Sequence, residues 1–353
     1  MTTEIGNADT KTILITGGAG FIGSNFVHYV FEHYPNYRII VLDCLTYAGS
    51  IRNLPEAYRV ENHDRCEFWY GNVRNAGLVN TLVSKANIVV HFAAETHVTR
   101  SIFDNLLFFE TDVLGTQAIA NAVLNFGTSL ERFIHISTSE VYGTARSARM
   151  NEEHPLNPMS PYASAKCGAD RLVYSYWATY NIPAVIVRPF NNFGPRQHLE
   201  KVIPRFITSV IQNEDLTVHG DGSAARDFIH VDDTCRGIDL ILNAPIEKVI
   251  GQVFNLASGE DRSVLSIAND VIDMMGYDES RISFIGERPG QVFRHTGDYA
   301  KMTEMFGWQP TKSWKQGLQD TITWYQNNRD WWERQLWMRS IPIITNTGKR
   351  EMH

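Results

Sequence analysis

Short apolar runs that alternate with longer helical stretches are the feature of this sequence that most restricts its fold. Strands that are apolar on both faces and separated by helices are typical of a parallel sheet with helices on each side. The pattern therefore predicts an α/β fold built on a doubly wound parallel sheet. The predicted strands are 12–16, 37–43, 66–73, 88–94, 132–138 and 183–189.

A glycine-rich segment, ILITGGAGFIGS, follows the first of these strands. It places Gly17, Gly20 and Gly23 between that strand and a predicted helix. Glycine permits a sharp turn and the close approach of a diphosphate, which the helix N-terminus attracts. Asp43 ends the next strand, where a carboxylate accepts hydrogen bonds from a ribose diol and disfavours a 2′-phosphate. These residues predict a Rossmann-type domain that binds NAD.

The character of the sequence changes near residue 190. The segment 191–206 is rich in Pro, Gly and charge, and 218–233 has the pattern of short strands and turns. We therefore expect a smaller, partly interleaved α/β lobe that binds substrate. The predicted division is a Rossmann domain over 10–190 with a crossover contribution from about 225–260, a lobe mainly over 191–340, and flexible ends at 1–9 and 345–353.

Two groups of side chains have the chemistry of a catalytic site. Thr138, Ser139 and Glu140 come at the end of the fifth predicted strand. Tyr162 and Lys166 are four positions apart and so share a helix face. A nearby ammonium favours a phenolate and lowers the pKa of tyrosine, so this pair predicts a base that takes a proton from a sugar hydroxyl while hydride leaves its carbon.

Composition restricts the partners. The net charge of -7 argues against nucleic acid, whose binding depends on excess Lys and Arg. The four cysteines are scattered, and the polar start has no signal-peptide core. No apolar run reaches the length of a membrane span. We expect a cytoplasmic protein with no membrane partner. No third ligand stands near His91 and His97, so no metal site is predicted.

Taken together, the motifs resemble those of the extended short-chain dehydrogenase/reductases, in particular the nucleotide-sugar 4,6-dehydratases that act on dTDP-glucose. The resemblance extends over nearly the whole chain. It is carried by TGGAGFIGSNF, LDCLTYAGS, HFAAETHVTRSI, STSEVYG, SPYASAKCGAD, NNFGPRQHLEKVIPRFI, VHGDGSAARDFIHVDD and ERPGQVFRH.

The resemblance implies a reaction in three stages. NAD takes hydride from C4 of the hexose while Tyr162 takes the hydroxyl proton and Thr138 holds the C4 oxygen. Glu140 then removes the C5 proton as the C6 hydroxyl leaves as water, and hydride returns to C6 to give a 4-keto-6-deoxy sugar. The resemblance also implies a homodimer.

The same resemblance implies the binding residues, position by position. Those for the cofactor are Gly17, Gly20, Phe21, Ile22, Gly23, Asp43, Asn72, Val73, Ala93, Tyr162 and Lys166. Those for the nucleotide-sugar substrate are Glu95, Thr96, Asn191, Glu200, Lys201, His219, Arg226 and Arg288.

One departure from the family pattern concerns the chemistry. The dTDP-glucose enzymes have Asp where this chain has Ser139, whose hydroxyl is no acid at neutral pH. Glu140 then becomes acid as well as base, as in the GDP-mannose enzymes that share Thr-Ser-Glu. The substrate stays open among dTDP-glucose, UDP-glucose and UDP-GlcNAc. A UDP-glucuronate decarboxylase or a 4-epimerase is the alternative, and a non-catalytic NAD-binding protein is the remote one.

Overall fold

Seven parallel strands form the central sheet, in the order β10-β6-β5-β4-β1-β2-β3. The structure, a computed structural model, describes residues 10–286, 292, 294–339, 342–344 and 350–352. The strands of this sheet are β1 Thr12–Thr16, β2 Arg38–Asp43, β3 Cys66–Tyr70, β4 Ile88–His91, β5 Arg132–Ile136, β6 Ala184–Pro189 and β10 Val253–Leu256.

The predicted doubly wound fold is confirmed. The strand order runs outward from β1 through β2 to one edge and from β4 to the other. Such a reversal opens a crevice at the carboxyl ends of the two central strands, which is where ligands bind in open α/β sheets. Both faces of the sheet are buried: Ile13 and Ile15 face one apolar cluster, and Leu14 faces another.

Three strands end earlier than the sequence predicts. β3, β4 and β5 stop at Tyr70, His91 and Ile136. The residues beyond these ends, 71–73, 92–94 and 137–138, leave the sheet and line the cavity described below. The runs predicted one long strand each because the half-buried or buried residues that follow each strand continue its largely apolar pattern.

The helices cover the sheet and build the rest of the molecule. They are α1 Phe21–His33, α2 Ala76–Val83, α3 Val98–Phe103, α4 Asn105–Phe108, α5 Gly115–Phe126, α6 Pro161–Tyr180, α7 Val202–Ile211, α8 Val231–Asn243, α9 Ile246–Val249, α10 Val264–Met275, α11 Ala300–Phe306, α12 Trp314–Asn327 and α13 Arg329–Trp332. A π-helical turn, Phe109–Leu114, joins α4 to α5. Short 3₁₀ segments occur at Ile51–Asn53, Glu56–Arg59, Ser139–Tyr142, Glu279–Arg281 and Glu333–Met338.

Local sequence explains where α6, the helix that carries Tyr162, begins and ends. Ser160 caps it by accepting a hydrogen bond from the Ala163 N–H, and Pro161 occupies the first helical position. It ends at Asn181, whose left-handed backbone closes the last turn. Within the described residues, no helix combines the length and the apolar composition that crossing a bilayer requires.

Smaller sheets lie beside the carboxyl edge of the central one. β9 Ala225–His230 pairs with β7 Asn191–Phe193, β11 Asp261–Ser263 and β13 Arg294–His295. β8 Leu216–His219 pairs with β12 Ile282–Ile285, and β14 Pro342–Ile344 with β15 Arg350–Met352. Their apolar cluster includes Phe206, Leu318 and Trp332. The domain boundaries at 10–190 and 191–340, with the crossover contribution from about 225–260, stay a prediction. β10 joins the central sheet.

Candidate active site

A cavity of about 450 Å³ lies at the carboxyl ends of the central strands. It is lined by residues from both the large sheet and the smaller ones. The predicted site residues that it brings together are Gly17, Gly20, Phe21, Ile22, Gly23, Asp43, Asn72, Val73, Ala93, Glu95, Thr96, Thr138, Ser139, Glu140, Tyr162, Lys166, Asn191, Glu200, Lys201 and Arg226.

Two predicted substrate residues are not among these. His219 lies at the end of β8, where its Nδ1 is 2.7 Å from the Gly286 carbonyl oxygen, and it does not line the cavity. Arg288 lies outside the described residues. The roles of both stay predictions.

The turn between β1 and α1 is closely packed. Gly17 has a φ of +67°, and a Cβ there would lie 2.5 Å from the Ala93 nitrogen. A Cβ on Gly23 would lie 2.3 Å from the Gly17 carbonyl oxygen. At Gly20, by contrast, a Cβ would meet only that oxygen, at 3.3 Å. The turn therefore requires glycine at two positions and leaves the N-terminus of α1 open to a diphosphate.

Asp43 is held at the end of β2 by backbone donors. Its Oδ2 accepts from the Ala19 N–H at 2.9 Å, and its Oδ1 accepts from the Leu45 N–H at 2.8 Å. Burial raises its pKa, and these two hydrogen bonds oppose that rise. A carboxylate oxygen can accept more than one hydrogen bond, so Asp43 remains able to accept from a ribose diol. Together with the turn, it fits the adenosine end of a dinucleotide.

The Thr138–Glu140 segment begins a 3₁₀ turn directly after β5. The Thr138 Oγ1 caps it by accepting from the Glu140 N–H at 3.2 Å. The Glu140 Oε1 lies 3.9 Å from the Arg226 Nε and 3.8 Å from the His295 Nδ1. The strand end thus presents a hydroxyl and a carboxylate to the cavity, with a cation beside the carboxylate.

Tyr162 and Lys166 lie on one face of α6, as their spacing predicts. Burial raises the pKa of Tyr162, and a hydrogen bond with Thr138 lowers it in part. Burial is the largest influence on this pKa, and the lowering by Lys166 stays a prediction. The Lys166 Nζ donates to the Ile136 carbonyl oxygen at 2.8 Å, and burial lowers its own pKa against the attraction of Asp112.

Two acidic side chains, Glu95 and Glu200, also line the cavity. Burial raises the pKa of Glu95 to about 7, and the nearby Glu200 adds to the rise. Glu200 accepts from the Arg100 Nε at 2.9 Å, and the Lys201 Nζ donates to the Thr96 carbonyl oxygen at 2.9 Å. These contacts connect the loop before α3 with the loop before α7.

Sequence reasoning missed several residues of the site. Asp112 accepts from the Glu95 N–H at 2.8 Å, and Arg100 pairs with Glu200. His295 contacts the Thr138–Glu140 segment from β13. The only available signal for His295 was its place in the motif ERPGQVFRH. His91 bonds to the hydroxyls of Thr16 and Thr116, as a core histidine does.

Comparison with known proteins agrees with this geometry. The family model described as GDP-mannose 4,6 dehydratase matches residues 14–321. The chain is 42% identical over 313 residues to the low-salt glycan biosynthesis protein Agl12 of Haloferax volcanii, covering 89% of this chain and 98% of that protein. It is 39% identical over 325 residues to a dTDP-glucose 4,6-dehydratase of an Actinoplanes species, covering 91% and 99%.

Solved structures show the same similarity. DesIV, a dTDP-glucose 4,6-dehydratase of Streptomyces venezuelae crystallised with NAD, aligns with a TM-score of 0.86 and 39% identity, covering 92% of this chain and 99% of that one. A UDP-glucose 4-epimerase of Thermotoga maritima aligns with a TM-score of 0.82 and 27% identity, covering 90% and 99%. The family match spans most of the chain, and this protein therefore belongs to the GDP-mannose 4,6 dehydratase family, the nucleotide-sugar 4,6-dehydratases of the short-chain dehydrogenase/reductase type.

Proposed function

We propose that this protein is an NAD-dependent nucleotide-sugar 4,6-dehydratase. Its substrate is dTDP-glucose or a related hexose nucleotide such as UDP-glucose or UDP-GlcNAc, and its product is the 4-keto-6-deoxy sugar. The observation that carries the proposal is the convergence of Thr138, Glu140 and Tyr162 on one cavity, whose other end is the glycine turn. The NAD bound to DesIV supports the choice of cofactor.

The cofactor supplies the chemistry of hydride transfer, since NAD accepts hydride from C4 and returns it at C6. Tyr162 takes the proton of the C4 hydroxyl, and the neighbouring Thr138 hydroxyl holds the C4 oxygen in line. Because burial raises the pKa of Tyr162, the phenol becomes the phenolate that accepts this proton only when positive charge lies close to it. The Lys166 ammonium, on the same helix face, is the protein's own source of that charge.

Glu140 acts at the neighbouring carbon. A ketone at C4 makes the C5 proton acidic, and the Glu140 carboxylate removes it. Ser139 provides no acid at neutral pH, so the same proton passes from Glu140 to the departing C6 oxygen. The side chain of Glu140 is only 17% exposed, which limits competition from water.

The substrate's nucleotide lies along the smaller sheets in this proposal. Arg226 lines the cavity with a half-buried side chain, and a guanidinium donates two parallel hydrogen bonds to a diphosphate. The sugar lies between the Thr138–Glu140 segment and the acidic residues Glu95 and Glu200. The residues proposed to contact the substrate are Glu95, Thr96, Asn191, Glu200, Lys201, His219, Arg226 and Arg288.

The test is incubation with a panel of nucleotide sugars in heavy water, followed by mass spectrometry. The proposal predicts a product lighter by one water, with deuterium at C5. Loss of carbon dioxide from UDP-glucuronate would instead identify a decarboxylase, and an isomer of unchanged composition an epimerase. Each of these outcomes rejects the dehydratase.

We also propose that the protein is a homodimer. Large apolar side chains are exposed along α3, α4 and the π-helical turn: Phe103 is 47%, Leu106 63% and Leu114 55% exposed. Such a concentration of apolar surface is typical of an interface. A cytoplasmic location stays a prediction from the sequence.

A further inference from the structure

His295 is a fully buried residue that contacts the proposed base from the neighbouring sheet. It lies on β13 in register with Arg226 of β9, and both side chains reach Glu140. The His295 Nδ1 lies 3.8 Å from the Glu140 Oε1, and its Nε2 lies 2.9 Å from the Ser139 carbonyl oxygen. The ring is therefore fixed at Nε2 against the Thr138–Glu140 segment, with its Nδ1 facing the Glu140 carboxylate.

The contact with Ser139 determines which nitrogen carries the hydrogen. A carbonyl oxygen only accepts, so the His295 Nε2 donates to it. Burial lowers the pKa of His295 to about 4, although Glu140 opposes this, so the ring is neutral near pH 7. In a neutral ring the Nδ1 is then an acceptor, and among the described residues it has no hydrogen-bond partner.

The Glu140 Oε1 consequently faces two different groups. The Arg226 Nε, at 3.9 Å, favours the ionised carboxylate. The His295 Nδ1 offers a lone pair, which repels a carboxylate oxygen but accepts a hydrogen bond from a carboxylic acid. The site thus has a partner for each protonation state of Glu140. An acceptor that binds only the acid form stabilises the state reached after proton abstraction, which is the kind of interaction that accelerates a step.

We propose that His295 is a positioning residue for the elimination, whose Nδ1 accepts a hydrogen bond from Glu140 once Glu140 has taken the C5 proton. This inference rests on the proposed function. The C5–H bond breaks, its proton goes to Glu140, and its electron pair is held by the C4 carbonyl as an enolate. As the C4 carbonyl re-forms, this electron pair forms the C5–C6 double bond and the C6–O bond breaks. The proton then passes from Glu140 to the leaving oxygen, which departs as water, and Glu140 is a carboxylate again.

The contact between His295 and Glu140 matters because Ser139 is not an acid. With no carboxylic acid at that position, the proton taken from C5 has to remain on Glu140 until the C6 oxygen leaves. The lone pair of His295 holds Glu140 in its acid form during that interval. The Phe190 ring also packs against the imidazole, with 5.2 Å between the ring centroids.

Two substitutions separate this role from a structural one. In His295→Asn, the amide oxygen replaces the Nδ1 acceptor but the bond to the Ser139 carbonyl is lost. In His295→Gln, the amide nitrogen keeps that bond but the acceptor facing Glu140 is lost. Single-turnover kinetics measure C4 oxidation by the appearance of reduced nicotinamide, and elimination by its disappearance.

We expect His295→Gln to slow elimination roughly two- to tenfold, as the loss of one hydrogen bond between neutral groups does, with C4 oxidation and KM unchanged. His295→Asn should keep most of the elimination rate. The reverse order, equal effects on both steps, or a His295→Gln protein that does not fold would each overturn the inference in favour of a structural role. A wild-type protein that dehydrates no nucleotide sugar would instead reject the proposed function.

Discussion

Glu140 has a different environment on each of its sides. One oxygen faces Arg226 and His295, while the side chain lines the cavity. In the proposed reaction, this group changes its protonation while only 17% of its side chain is exposed. Because Glu140 directly follows a strand, a local sequence pattern was enough to predict it as a site residue.

The Glu140→Gln substitution tests this residue directly. The amide has the same shape but does not accept a proton, so elimination should fall by about 10²- to 10⁴-fold while C4 oxidation continues. Reduced nicotinamide should therefore accumulate on the enzyme, which its absorbance reports. Glu153→Gln, at an exposed position, is the control and should behave as wild type. Full turnover by Glu140→Gln would remove its assigned role.

The site residues that the sequence predicted share one property, which is that each has its partner only a few positions away in the chain. Thr138 and Glu140 are two positions apart, and Tyr162 and Lys166 share a helix face. His295 contacts Ser139 across 156 positions, and no local pattern records that contact. The pKa of Tyr162 was likewise not predictable, because burial depends on the helices that cover it.

At the scale of elements, the β1–α1 turn is a closely packed connection in the site. We predict that Gly23→Ala lowers NAD affinity, because the new methyl would lie 2.3 Å from the Gly17 carbonyl oxygen and displace the turn. Overpacking of this kind costs about 1–3 kcal/mol, which corresponds to roughly five- to 150-fold if all of it falls on NAD binding. Titration calorimetry measures the effect.

Gly77→Ala is the matched control for that experiment. Gly77 lies in α2, where a Cβ would meet only the Asn75 Oδ1 at 3.6 Å. Alanine there should leave NAD binding unchanged and add up to about 1 kcal/mol of stability, since glycine is a poor helix residue. Equal NAD affinity in the two variants would contradict the packing argument.

The strands show how far sequence patterns define an element. All six predicted runs contain strands of the central sheet, because a buried parallel strand needs apolar residues on both faces. β10 was not predicted as a strand from its own pattern. It comes after the change of composition near residue 190, within the segment of about 225–260 that was expected to cross back to the Rossmann domain, and it pairs with β6 in the large sheet.

At the scale of the whole molecule, the exposed apolar surface of α3 and α4 predicts the oligomer. Leu106→Glu should convert the dimer to monomer, because it buries a charge in the proposed interface. Analytical ultracentrifugation gives the mass. Val60→Glu, at a side chain 59% exposed elsewhere, is the control and should remain dimeric. A wild-type protein that sediments as a monomer would reject the homodimer.

The register of β9 and β13 has a consequence for how variants of this protein are interpreted. Arg226 and His295 stand side by side on these strands, and Asp227 anchors them by accepting hydrogen bonds from the backbone of Ser258, Gly259 and Gly297. A substitution that shifts these strands changes the surroundings of Glu140 without touching the bound sugar. Such a substitution, although remote from the reacting carbons, should lower the elimination rate as loss of Glu140 does. Kinetics that resolve C4 oxidation from elimination are then needed to interpret these variants.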